Sequence, residues 1–146
     1  MSVEPYETYK AELHRALEKC QFVEETLKMC LLSAIEIARI QVQPFFPLTV
    51  KREDISKLPL GPLIKGFAKI HYDKVLLDDL QSLRNERNEV AHRSLLFTIG
   101  EMEDDAHMSE QTAKMKAIAD HADELHGRVL DVRYALATAQ NKAKRA

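Results

Sequence analysis

Nine apolar or small residues, Tyr9, Leu13, Ala16, Cys20, Val23, Leu27, Cys30, Ala34 and Ile37, recur in steps of four and three without a break. That rhythm is the heptad spacing of helices packed side by side, and no strand shares it. Pro5 suits a first helical turn and Pro44 forbids continuation, so one helix is expected from about Pro5 to Val42. Leu17, Leu31, Ile35, Ala38 and Val42 widen the stripe towards its C-terminal half, as a core-facing helix needs. Such a helix would span about 55 Å at 1.5 Å per residue, long for a compact domain of this size. It is expected to project, bend or support a partner chain.

The same rhythm returns later. A connection with three prolines, Pro44, Pro47 and Pro59, leads into Gly61-Pro62, with a short helical turn expected near Glu53 to Leu58. A helix is expected from Pro62 to about His71, carrying Leu63, Ile64, Phe67, Ala68 and Ile70. A third long segment is expected from Asp73 to about Leu96, with Leu76, Leu80, Leu83, Arg87 and Val90 facing inward. After the acidic loop TIGEMEDDAHM, Ser109 is a reasonable N-cap for a last helix. Its stripe is Met115, Ile118, Ala122, Leu125, Val129, Val132, Leu136 and Ala139, and the basic tail 141–146 is expected to fray. These segments imply one all-α domain over 1–146, an antiparallel up-and-down bundle of four main helices. The two longest offer more apolar stripe than the short second helix covers, so a homodimer is expected to bury the remainder.

Composition narrows the function classes. A net charge of −2 gives no basic surplus for nonspecific nucleic-acid binding, although a local basic site stays open. No apolar run approaches the roughly 20 residues of a membrane span, and the start MSVEPYETYKAE is unlike a signal or transit peptide. A cytoplasmic location without membrane contact is expected. Cys20 and Cys30 are ten residues apart on one helix, about 15 Å along its axis. A disulfide reaches no more than about 7 Å between Cα atoms, so both are expected to be buried thiols.

The stretch LRNERNEVAHR, Leu83 to Arg93, breaks the pattern. Arg87 is the only charge on its inward stripe. Burying a guanidinium without partners costs several kcal/mol, so Arg87 must meet a carboxylate, backbone carbonyls or an anion from outside. Arg84, Asn88 and His92 follow one another at intervals of four, a polar strip beside the core stripe. Arginine suits a phosphate and histidine a proton transfer near neutral pH. From spacing alone, a purely structural ion pair with an acid from another helix, with His92 as a surface or interface hydrogen-bonder, is the favoured reading.

Arg87, Asn88, Glu89, Val90, Ala91 and His92 resemble the Arg-x4–6-His signature of HEPN domains, including the polar residue after the arginine. The resemblance implies a small helical bundle, dimeric, with the motifs of both subunits meeting in a cleft. It implies a metal-independent RNA endonuclease, of the kind found as toxins of toxin–antitoxin or phage-defence systems, without a cofactor. Arg87 would hold the scissile phosphate, His92 would move a proton, and Asn88 would orient the phosphate or the imidazole. Arg84 and Arg93 would add phosphate contacts. Partners would be RNA and an antitoxin or regulatory protein. Toxins of this family paired with a nucleotidyltransferase often carry a tyrosine two residues after the histidine; here that residue is Ser94, so the likeness stops short of that subtype. LPLGPLIKGFAKIHY also resembles a loop and helix of mannitol-operon-repressor-like proteins. That implies the alternative, a catalytically silent HEPN-like interaction or regulatory module. An internal acid clamping Arg87, with His92 far from any second subunit, would leave no room for a phosphodiester and end the cleavage reading.

Other features point elsewhere or nowhere. His121 and His126 are five apart and face different ways, so no zinc site is expected. No Gly-rich phosphate loop and no Ser-His-Asp or Cys-His pattern is present. Phe45 and Phe46, between prolines, are expected to cap the core rather than stack on a base.

Overall fold

The computed structural model describes residues 4–93, 100–101 and 104–146. Among them no strand occurs, and the chain is all-helical. The helices are α1 (Glu4–Val42), α2 (Arg52–Ser56), α3 (Leu60–Phe67), α4 (Lys74–Arg93) and α5 (Asp105–Arg145). Each follows from its own residues. Glu4 and Glu7 open α1 and Arg39 closes it, matching the helix dipole at both ends. Tyr9, Ala16, Cys20, Val23, Leu27 and Cys30 of the heptad row are buried, whereas Leu13, Ala34 and Ile37 are only half-buried.

α5 begins earlier than Ser109. Its N-cap is Asp104, whose carboxylate accepts the His107 N–H at 3.1 Å. An ionised cap also favours the positive end of the helix dipole, which a serine hydroxyl does not. At the other end the basic tail stays helical to Arg145, with Lys142, Lys144 and Arg145 in the last turn where cations are favoured. α3 starts at Leu60, two residues ahead of the Pro62 expected, behind Pro59.

Paired side chains give the helix directions. Arg15 meets Asp120 at 2.6 Å, Lys19 meets Asp123 at 3.3 Å, and the Phe22 and His126 rings lie 5.7 Å apart. Residue numbers rise together, so α1 and α5 run parallel. This departs from an up-and-down arrangement, in which the first and last helices oppose each other. α4 runs against α5, with Asp79 on Arg128 at 2.7 Å and Glu86 on His121 at 3.1 Å. It also runs against α3, since Arg84 lies on Gly61 while Leu77 and Gln81 line a cleft with Ala68. The connection 43–59 makes the parallel pairing possible. It carries the chain back along α1, so that Gly66 packs against Leu31.

The main core joins Leu27 of α1, Leu63 and Phe67 of α3, Leu76, Leu80 and Leu83 of α4, and Leu125 and Val129 of α5. A smaller cluster, Tyr9, Val90, Met108 and Met115, closes the end near the start of α1. Cys20 and Cys30 are buried free thiols, as expected. Burial pushes both up to about 11. Phe45 and Phe46 do not cap the core: they are 83% and 56% exposed. α1 runs past the core, so the turn that ends it lies beyond any surface the rings could cover. No helix is long and apolar enough to cross a membrane among the described residues.

Candidate functional site

α4 places Leu76, Leu80, Leu83 and Val90 in the core, and Arg87 falls in line with them. Its partner is Glu24 of α1, with Nε 2.8 Å from Oε1. The Glu24 side chain is 7% exposed and that of Arg87 34%. A carboxylate so buried is tolerated because a cation reaches it. The contact is an ion pair rather than an aligned hydrogen bond, since that oxygen accepts none. Neither terminal nitrogen of Arg87 donates a hydrogen bond among the described residues. The guanidinium is therefore tethered at Nε, with a third of the side chain open to solvent. Of the three kinds of partner the sequence left open, the structure gives a carboxylate, Glu24, which is the first of the two conditions set against cleavage. A signal was present: Cys20, Glu24, Leu27 and Leu31 form a second four-three-four row on α1, and Glu24 is its one acid.

The other motif residues divide between two surroundings. The Asn88 and His92 side chains are exposed and make no hydrogen bond among the described residues. Helix direction explains this. α3 starts beside Arg84, so Asn88 and His92 lie one and two turns beyond its end. Arg84 does not join them. Its guanidinium lies on Gly61, where an added Cβ would sit 2.8 Å from Nε. Only a glycine lets the arginine lie so close to the α3 backbone. The Arg93 side chain and Ser94 lie outside the described residues, as does the expected extension of this helix to Leu96.

Another face of α4, about 160° from Asn88 and about 120° from His92 on an ideal helix, holds a pair that sequence reasoning missed. Glu86 accepts from Nδ1 of His121, with oxygens at 3.1 and 3.4 Å. This carboxylate fixes the ring and leaves Nε2 as its other polar atom. Glu86 and His121 border a groove of about 350 Å³ with Tyr9, Val90, Gln111 and Met115. Burial first, and then Tyr6, push the Tyr9 hydroxyl above its ordinary value. Sequence reasoning weighed His121 only against other histidines, and its partner lies on another helix.

No family model, curated protein or solved structure matches this chain.

Proposed function

We propose that this chain is a HEPN-type helical protein that cleaves RNA without a metal ion, using Arg87, Asn88 and His92. One observation carries the reading. A permanent cation on a core stripe keeps its terminal nitrogens unbonded and partly open, and the imidazole of the same motif is exposed five residues on along the same helix. Glu24 holds Nε and so limits the directions the guanidinium can take, which favours phosphate binding through the remaining donors.

In this chemistry the ribose 2′-oxygen attacks phosphorus as a histidine takes its proton. The 5′-oxygen leaves with a proton from a general acid, giving a 2′,3′-cyclic phosphate and a 5′-hydroxyl. In a homodimer with the two α4 helices facing each other, one His92 serves as base and the other as acid. Arg87 offsets charge developing on the phosphate oxygens. A toxin or phage-defence role in the cytoplasm, held in check by an antitoxin, is the setting that fits such an activity.

The Glu24 contact favours a second reading, a silent HEPN-like interaction or regulatory module of the mannitol-repressor-like kind. There the ion pair is purely structural and the motif a remnant. An RNA cleavage assay in EDTA decides between them. Cleavage is expected for wild type and lost in both Arg87→Ala and His92→Ala, with helicity retained. Equal activity in all three would mark a contaminant and end the cleavage reading, and absence of cleavage by wild type would favour the silent module.

A further inference from the structure

The far end of the molecule holds a second cationic site unrelated to the Arg87 motif. Arg39 of α1, Arg52 at the start of α2 and Arg133 of α5 line one groove of about 540 Å³, together with a single acid, Glu36. Glu36 is taken by Arg39, whose Nε donates to it at 2.9 Å. That contact holds the Glu36 carboxyl below its ordinary range, with Lys144 adding to the effect. Arg52 and Arg133 form no ion pair among the described residues. The groove is thus positive in a chain whose net charge is −2. The last turn of α5 adds Lys142, Lys144 and Arg145 at this end. Glu53 and Asp54 follow Arg52 on α2 and are the opposing acids of that segment.

The chain between two lining residues of this groove, Arg39 and Val50, carries the two exposed phenylalanines. The chain leaves Arg39, turns at Val42 with Phe45 and Phe46 donating their N–H groups to its carbonyl, and returns at Val50 and Arg52 on the groove wall. Tyr134, 58% exposed, lies under the Arg133 guanidinium at 5.8 Å from the ring centroid. Free guanidiniums beside exposed aromatic rings are what a single strand requires: cations track its phosphates, and unpaired bases stack on rings. A duplex offers its phosphates but no open base faces.

We propose that the groove of Arg39, Arg52 and Arg133, together with Phe45 and Phe46 on the turn that links Arg39 to Val50, binds single-stranded nucleic acid. This goes beyond the cleavage reading and holds whether or not His92 cleaves. Glu24, which holds Arg87, and Arg39 are fifteen residues apart on α1, about 22 Å along the axis. The groove is therefore a separate docking surface, and a strand of several nucleotides would be needed to reach both sites of one chain.

The test is fluorescence anisotropy of the full chain with a labelled 2′-O-methyl oligouridine. That strand lacks the 2′-hydroxyl nucleophile, so binding is read apart from cleavage. Binding that falls at least about tenfold in Arg52→Ala/Arg133→Ala, with a shallower salt dependence, is expected. Phe45→Ala/Phe46→Ala should weaken it by about tenfold as well, with little change in salt slope. Circular dichroism checks that both variants fold; none of these four side chains belongs to the buried core. Equal binding of oligothymidine would assign the groove to single strands in general, and preference for the uridine strand to RNA. Unchanged affinity in both variants would overturn the proposal. So would binding to phosphatidylglycerol vesicles with none to either strand, which would make the face a membrane contact.

Discussion

The Arg87–Glu24 pair carries opposite consequences for its two members. Glu24 is nearly enclosed, so removing its cation leaves a buried charge, whereas Arg87 reaches solvent. Arg87→Ala is expected to cost about 1–3 kcal/mol, reduced from the fully buried case by the exposure of the arginine. Adding Glu24→Gln to Arg87→Ala should recover part of that loss, as urea unfolding would record; additive losses would mean the two are not coupled. The thiols give a second expectation at this scale. Cys20 and Cys30 move from 9.0 to about 11 because burial disfavours the thiolate. Their contribution to stability is whole below pH 9 and is lost as pH rises, since the unfolded chain releases these protons first. Each thiol should remove about 1.4 kcal/mol per pH unit between 9 and 11. Cys20→Ala/Cys30→Ala should show a flatter alkaline limb in urea unfolding; an unchanged slope would assign the loss to other groups.

Among the elements, α5 depends on a cap that a sequence pattern mislocates. Asp104→Ala is expected to lower stability by about 1 kcal/mol and Ser109→Ala by a few tenths at most, a contrast thermal unfolding can resolve. At Gly61 the neighbour of an added Cβ is the end of the Arg84 side chain, which can swing aside. Gly61→Ala should therefore change stability by less than about 1 kcal/mol, because the gain in helix propensity offsets the displaced contact. A loss well above this would show that Arg84 is locked in place. Helix identity and the inward rows of α1 and α4 were legible because burial on one face imposes a three-four rhythm on the residues themselves. Pairing was not. Parallel α1 and α5, the Glu24 partner of Arg87 and the Glu86–His121 contact depend on how the 43–59 connection returns, and local spacing carries no record of that path. Phe45 and Phe46 were misread for the same reason: apolar residues after a helix cap a core only where the helix ends at one.

At the scale of the molecule, a parallel pair of long helices holds two separate cationic features. One is half-buried and tethered to an acid near the middle of α1, with an unbonded imidazole five residues on; the other is an open groove with exposed rings. Strand docking at the groove and phosphate chemistry at the motif would separate on mutation, each set of substitutions leaving the other function in place. The chemistry itself is read most directly from the ends of the cut strand. Mass spectrometry of an oligoribonucleotide incubated with the protein in EDTA should find a 2′,3′-cyclic phosphate and a 5′-hydroxyl with wild type, and intact strand with His92→Ala. A 3′-hydroxyl and 5′-phosphate, or the same products from His92→Ala, would contradict the assignment of His92 as the proton carrier.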